Sequence, residues 1–136
     1  MVYIDADNNL DQAGLDDINE METVGSTDLV KIAVLLDRWD EAYMPGSWIY
    51  LIEKDEDPSN VNSPVLAELD ELNIGDPATL RSFVDFAVSK FPAKKYGLVL
   101  WDHGHGWPGV CDDWSDDDLL TLSEISAALK GYEINL

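Results

Sequence analysis

The sequence predicts an α/β fold, a three-layer sandwich around a mostly parallel sheet, with residues 1–136 forming part of a single domain. Short apolar runs that end in polar clusters alternate with segments of helical periodicity, which is the pattern of strands and helices in such a sheet. The chain of 136 residues is long enough to build a sizeable core, and its hydrophobic content of 46% argues against disorder.

The N-terminal half is predicted to alternate strands with a helix. Residues 2–4 form a short apolar run, and a helix-like stretch follows to about residue 22. The nearly continuous apolar run at residues 29–36 is typical of a parallel strand buried on both faces. Residues 48–52 predict another strand, whereas the acidic, turn-rich residues 53–64 predict an exposed loop.

The C-terminal half contains two clear helix starts. Asp76 is a good N-cap and Pro77 suits the first helical position, and Pro92 is expected to stop that helix. Thr121 and Glu124 have the spacing of a capping box, in which each side chain satisfies a backbone donor of the other residue.

Two further strands and a loop are predicted in the same half. Residues 96–101 form an apolar run, and residues 133–136 look like the first residues of another strand. Between them, the acidic residues 112–118 predict a loop.

Three of the predicted strands end in polar clusters, at residues 5–9, 37–38 and 102–104. Right-handed crossovers place the carboxyl ends of parallel strands on one edge of the sheet, where ligands of such folds bind. We therefore expect the functional site at this edge.

The segment DADNNLDQAGLD at residues 5–16 imitates the spacing of a calcium-binding EF-hand loop. The matching residues are Asp5, Asp7, Asn9, Asp11 and Asp16. However, Leu10 stands where the loop needs glycine, Asp16 replaces the bidentate glutamate, and a strand rather than a helix precedes the segment. We interpret it as a strand-to-helix turn whose side chains cap the helix, and weak calcium binding by these residues stays an alternative.

Chemistry-bearing residues concentrate in LVLWDHGHGWPGVCDD, at residues 98–113. His103 follows an apolar strand and could act as a general base toward a thiol, although a local hydrogen-bonding role is equally compatible with its spacing. Gly104 would allow close approach of a substrate, and its N–H could help to hold an oxyanion. Cys111 is the only cysteine, and its many acidic neighbours would raise its pKa, so we interpret it as a bystander.

The charge balance excludes several classes of partner. The 28 acidic and 8 basic residues give a formal net charge of −20, which disfavours nucleic acid and anionic membranes. His103 and His105 alone are a weak zinc signal, and the sequence requires no cofactor, although calcium is possible. The sequence has no run of 18 apolar residues and no recognisable signal peptide, so it leaves the localisation open.

Taken together, these stretches resemble the clostripain family of cysteine peptidases, which has a caspase-like fold. The resemblance is carried by VYIDADNNLD at 2–11, VKIAVLLDR at 30–38 and above all YGLVLWDHGHGW at 96–107, and it extends through residues 63–88. It implies that His103 is catalytic, that the Gly104 N–H helps to hold the oxyanion, and that the nucleophilic cysteine follows Asp-Ala in a strand beyond residue 136.

The resemblance also implies an endopeptidase that cleaves peptides or proteins after Arg or Lys and is secreted or held at the cell envelope. This chain alone is then expected to be inactive and to need the rest of the peptidase domain, as a C-terminal part or a heavy chain. Residues 104–129 contain no Lys or Arg, so self-cleavage after a basic residue is not expected there. The alternative is a non-catalytic acidic module that binds calcium or a protein partner.

Overall fold

The computed structural model describes residues 1–39 and 41–135. In chain order, its elements are β1 (Val2–Ala6), α1 (Asp11–Glu22), β2 (Ala33–Arg38), β3 (Gly46–Leu51), β4 (Val65–Leu69), α2 (Pro77–Lys90), β5 (Tyr96–Gly97), β6 (Val99–Trp101), β7 (Gly109–Asp113), β8 (Asp118–Thr121), α3 (Leu122–Ala128) and β9 (Ile134–Asn135). Within these residues, no helix has both the length and the apolar character needed to cross a membrane.

The central sheet has the strand order β4-β3-β2-β1-β6. Strand β1 pairs in parallel with β2 and β6, and the antiparallel pairs β2–β3 and β3–β4 form one side of the sheet. Strand β5, which Leu98 joins to β6, pairs in parallel with β9, and the Leu98 N–H donates to the carbonyl of Asn135 at 2.8 Å. The predicted α/β fold around a mostly parallel sheet is confirmed.

The core occupies both faces of the sheet, because successive strand side chains point to opposite sides. Tyr3 and Leu35 are buried with side chains of α2 and α3, such as Phe83. On the opposite face, Ile4 and Leu36 are buried with Ile18 of α1. The helices therefore cover the sheet on both sides, as the three-layer prediction requires.

Both predicted helix starts are confirmed. The Asp76 side chain accepts a hydrogen bond from the Ala78 N–H at 2.7 Å, and Pro77 is the first residue of α2. At α3, the Thr121 N–H donates to Glu124 Oε2 at 2.9 Å and the Glu124 N–H donates to Thr121 Oγ1 at 3.4 Å, which completes the capping box.

The side chains predicted to cap α1 form no hydrogen bond with its first turn. Asn8 Oδ1 accepts a hydrogen bond from the Leu10 N–H at 2.8 Å, and Asp5 Oδ1 accepts one from the Asp7 N–H at 3.1 Å. The N-cap residue is Leu10, which has no acceptor in its side chain. These Asx turns thus shape the chain between β1 and α1 instead of capping the first helical turn.

The strand predicted at residues 29–36 begins later than its apolar pattern indicates. Leu29 is 95% exposed, and Thr27 Oγ1 accepts hydrogen bonds from the N–H groups of Leu29 and Val30. This side-chain turn occupies the backbone donors that a ladder would need, so β2 begins only at Ala33.

The prediction of a loop at residues 112–118 is wrong at both ends. Residues 112 and 113 belong to β7 and residue 118 belongs to β8, and the two strands form a hairpin. Alternate residues of β7 point inward, with Gly109, Cys111 and Asp113 buried. An acidic strand of this kind resembles a loop in composition, because its buried carboxylate lies among polar groups instead of in the apolar core.

Candidate functional site

The carboxyl ends of β1, β2 and β6 meet at one edge of the sheet, as the sequence predicts. Asp5 lies opposite Asp37 in the β1–β2 register, and Ile4 lies opposite Trp101 in the β1–β6 register. The residues that follow these strands consequently come together, and Asn8 Nδ2 donates a hydrogen bond to Asp102 Oδ1 at 2.8 Å.

His103 lies at this edge, within a segment at residues 102–106 that we call the histidine loop. Its side chain is exposed, and its Nε2 lies 2.9 Å from Asn9 Oδ1 in the turn between β1 and α1. Gly104 forms an isolated antiparallel bridge with Val110, and a Cβ atom at Gly104 would meet no atom within 4 Å. The imidazole and the neighbouring backbone are thus open to a ligand from solvent.

Asp102 anchors the start of the histidine loop. Besides the bond from Asn8, it accepts one at Oδ2 from the backbone N–H of Asp112 in β7, at 2.7 Å. The His105 N–H donates to the Gly109 carbonyl at 3.0 Å, so β7 holds both ends of the loop. His105 itself faces away toward Asp112 Oδ2, which lies 3.3 Å from its Nε2.

Cys111 lies in the apolar core instead of the open edge. Its side chain is fully buried beside Tyr3 and Leu120, at a β-bulge where its own φ is +59°. Burial, reinforced by the negative charge of Asp5, raises the pKa of the thiol well above its usual value. A buried, protonated thiol cannot attack a peptide that approaches from solvent, which supports the bystander interpretation.

A second group of polar residues lies at the same edge, on the β2 side of β1. One carboxylate oxygen from each of four residues lies within 4.8 Å of the others: Asp7, Asp37, Glu71 and Asp113. We call this group the carboxylate cluster. Its members come from the ends of β1, β2 and β7 and from the segment after β4.

Hydrogen bonds orient three members of the cluster. The Ser115 hydroxyl donates to Asp7 Oδ1 at 2.8 Å. Asp37 Oδ1 accepts a hydrogen bond from the Ser47 hydroxyl on the neighbouring strand β3. Asp113 accepts one from the Ile74 N–H at 2.8 Å and another from the Asp116 N–H at 3.0 Å. The carboxylates are therefore held in place by separate parts of the fold.

Burial raises the carboxyl pKa values of Asp37 and Asp5 at this edge. The pKa of Asp37 is raised to about 8, first by burial and then by Asp113 and other acidic neighbours, although the Ser47 hydrogen bond opposes the shift. Burial also raises the pKa of Asp5 to about 9, with the charges of Asp102 and Asp113 adding to the effect. A bound cation would offset these costs, and a site with only carboxylate oxygens fits a hard cation such as calcium.

The structure does not support the EF-hand spacing as a site. Asp11 forms an ion pair with Arg38, with oxygen and nitrogen 2.7 Å apart, and Asp16 accepts a hydrogen bond from Gln12 at 2.9 Å. Of the five spaced residues, only Asp7 joins the carboxylate cluster. No local pattern pointed to Glu71 as a partner, because it lies in an acidic segment that is far along the chain from the other three residues.

The sequence and the fold match those of a known family. A sequence model of the clostripain family matches residues 2–136. Clostripain from Hathewaya histolytica is 34% identical over 122 residues, which are 78% of this chain and 23% of that protein. The chain thus spans about a quarter of the curated relative.

Solved structures of C11 proteases share the fold. A secreted C11 cysteine protease from Bacteroides thetaiotaomicron, in complex with an irreversible peptide inhibitor, matches with a TM-score of 0.68 and 27% identity over 94% of this chain and 37% of that chain. An inactive zymogen C11 protease from Parabacteroides distasonis matches with a TM-score of 0.69 and 23% identity, over 98% and 38%.

A cysteine protease from B. fragilis matches with a TM-score of 0.62 and 27% identity, over 78% of this chain and 87% of that chain. These structures confirm the caspase-like α/β fold, of which this chain covers part. With the family model matching almost every residue, the chain belongs to the clostripain family.

Proposed function

We propose that this chain supplies the histidine-bearing part of a cysteine endopeptidase of clostripain type. The observation that carries the proposal is the exposed His103 at the carboxyl end of β6. Strand β6 follows β5 along the chain, and β9 begins beside β5 in parallel. The carboxyl end of a strand that continued β9 would reach the same edge as His103, because β5 and β9 are parallel. The family membership supports a cysteine as the nucleophile.

In this mechanism, a thiolate from the continuing strand attacks the peptide carbonyl carbon, and the Gly104 N–H donates a hydrogen bond to the oxyanion. The tetrahedral intermediate collapses with cleavage of the C–N bond, and the His103 imidazolium gives its proton to the leaving amine. Water then hydrolyses the thioester, with His103 as the base, and the thiol is regenerated.

The open side of β6 supports a role for further chain in the active protein. Val99 and Leu122 are 53% and 47% exposed, and they border an apolar groove between β6 and α3 that also contains Ile134 of β9. We propose that the rest of the peptidase domain covers this groove. It could come from the same chain or from a heavy chain. This chain covers 87% of the matching B. fragilis chain, which is therefore of similar length, and this suits the second arrangement. On this proposal, residues 1–136 alone have no peptidase activity.

The preference for Arg or Lys before the cleaved bond is part of the same proposal. The formal net charge of −20 would attract a cationic substrate side chain. The solved relative from B. thetaiotaomicron is described as secreted, and we propose export for this protein also. Fractionation of cells followed by immunodetection would place it.

The test is a matched pair of histidine variants in the full-length protein, assayed with peptides that carry Arg, Lys or Glu before the cleaved bond. We expect His103→Ala to lower kcat/KM by about a thousandfold on the Arg or Lys peptides, within the range for loss of an acid–base group. His105→Ala should retain activity within a few-fold, because His105 points toward Asp112. Loss in His105→Ala with full activity in His103→Ala would contradict the assignment.

The alternative, a non-catalytic acidic module, makes a different prediction for the same protein. It would show no hydrolysis of any of these peptides while keeping its affinity for calcium. The carboxylate cluster is the observation that favours this second candidate, and cation binding can be measured separately.

A further inference from the structure

Exposed aromatic side chains concentrate at the edge of the sheet that carries His103. In the ranges 1–39 and 41–135, they are Tyr43, Trp107 and Trp114, which are 88%, 88% and 47% exposed. Tyr43 lies in the segment after β2, Trp107 lies between the histidine loop and β7, and Trp114 directly follows β7. Apolar surface that gathers in one place on a protein commonly marks a contact with a ligand.

Trp114 forms a perpendicular pair with Trp39, the residue that directly follows β2. Their ring centroids are 6.0 Å apart and their ring planes meet at 89°. The Trp114 backbone N–H donates to the Asp7 carbonyl at 3.0 Å, and its indole Nε1 donates to Asp112 Oδ2 at 3.3 Å. Both the backbone and the ring of Trp114 are therefore oriented, although nearly half of this residue stays open to solvent. We call Trp39 and Trp114 the tryptophan pair.

We propose that the tryptophan pair binds a large apolar side chain, above all an aromatic one, of the peptide that the protein cleaves. The proposal rests on the proposed peptidase function, because it assigns a substrate contact to the edge that carries His103. Aromatic rings pack edge-to-face or offset-stacked, with centroids about 4.5–7 Å apart. Two perpendicular rings form a corner that offers both geometries to a third ring.

The spacing of the strands determines which substrate residue can reach the pair. In the order β2-β1-β6, Trp39 follows β2 and His103 follows β6, so two strand spacings separate them. This separation is about 10 Å, and an extended peptide advances about 3.3 Å per residue. The pair is therefore suited to a side chain about three residues from the cleaved bond, and not to the Arg or Lys next to that bond.

The charges around the pair favour an apolar side chain over a charged one. Arg38 already places a cation beside Trp39, where its Nη1 donates to the carbonyls of Tyr43 and Met44 at 2.9 Å and 3.3 Å and its Nη2 pairs with Asp11. A basic substrate side chain would compete with Arg38 for these acceptors. An acidic one would be repelled by the formal net charge of −20.

The test compares kcat/KM of the full-length protein on peptides that share Arg before the cleaved bond. They carry Phe, Ala or Lys three residues from that bond, on one side or the other. On one of the two sides, we expect the Phe peptide to exceed the Ala peptide by about tenfold, the effect of one aromatic contact. Trp114→Ala should reduce this Phe-to-Ala ratio to about one, and Trp114→Phe should retain most of it.

The ratio separates a substrate contact from a structural role, because damage to the fold would lower kcat/KM for both peptides and leave their ratio unchanged. Trp107→Ala is the matched control, since Trp107 is an exposed tryptophan at the same edge and outside the pair. Its Phe-to-Ala ratio should equal that of the wild type.

Calorimetric titration of His103→Ala with the same peptides distinguishes this proposal from the peptidase function. The Phe peptide should bind about tenfold more tightly than the Ala peptide, and adding Trp114→Ala should remove the difference. This binding preference without hydrolysis by the wild type would refute the peptidase function alone. Equal use of the Phe and Ala peptides, no binding of either, a preference for the Lys peptide, or a Phe preference that survives Trp114→Ala would overturn the role of the tryptophan pair.

Discussion

The histidine loop and the carboxylate cluster lie at the same edge of the sheet but are built in opposite ways. The histidine loop is one continuous segment, residues 102–106, and its key side chain is exposed. The carboxylate cluster draws its members from four separated segments, and three of its side chains are buried. Residues within one segment can be recognised from the sequence, whereas a group assembled across several strands can be recognised only once the fold is known.

Strand β7 is the physical link between the two regions. The backbone N–H of Asp112 holds Asp102 at the start of the histidine loop, and the next residue, Asp113, belongs to the carboxylate cluster. A displacement of β7 should therefore affect both the histidine loop and the carboxylate cluster. The removal of a single contact should affect only one of them.

Displacing β7 should have the largest effect. A Cβ atom at Gly109 would lie 2.4 Å from the carbonyl oxygen of Leu120 in the paired strand β8. We expect Gly109→Ala to lower the free energy of unfolding by about 3 kcal/mol, at the upper end of typical overpacking costs. Urea denaturation measures this loss, and both peptide hydrolysis and calcium binding should weaken with it.

Gly104→Ala is the control for that measurement, because its Cβ would meet no atom within 4 Å. Its free energy of unfolding should stay within about 0.5 kcal/mol of the wild type. Equal losses in the two variants would show that β7 and β8 do not pack as described.

Removing the Asp102 carboxylate should affect the histidine loop and leave the carboxylate cluster almost unchanged. The two hydrogen bonds that it accepts, from Asn8 at 2.8 Å and from the Asp112 N–H at 2.7 Å, hold the histidine loop. We expect Asp102→Ala to cost about 2 kcal/mol of unfolding free energy, as for hydrogen bonds to charged groups. Peptide hydrolysis should fall, while the calcium affinity measured by calorimetry changes only a few-fold.

Asp28→Ala removes the same charge from an exposed position far along the chain, and it should leave stability and hydrolysis unchanged. If Asp102→Ala weakened calcium binding as strongly as Asp37→Asn, the histidine loop and the cluster would have to be treated as one site.

The smallest effect is expected at the buried thiol of Cys111 in β7. Cys111→Ala removes one sulfur atom from the core and should cost about 1 kcal/mol of unfolding free energy, by analogy with the loss of one core methyl group. Peptide hydrolysis and calcium affinity should both persist. A folded Cys111→Ala variant without hydrolysis would make Cys111 the nucleophile and refute the proposed position beyond residue 136.

Local signals account for the elements that were predicted correctly. Asp76, Pro77 and the Thr121–Glu124 pair act within one helical turn, so their sequence spacing already defines their geometry. The same reasoning failed for residues 29–32, where the Thr27 side chain forms a competing turn in an apolar run.

The sequence alone determined the alternation of strands and helices, the sheet edge that carries His103, and the resemblance to a peptidase family. These properties depend on periodicity, caps and continuous motifs, whose physical causes act over a few residues. The burial of Cys111, the pairing of β7 as a strand and the meeting of the four carboxylates became visible only in the folded chain. Strand pairing and burial join residues that are distant along the chain, and no local spacing encodes those contacts.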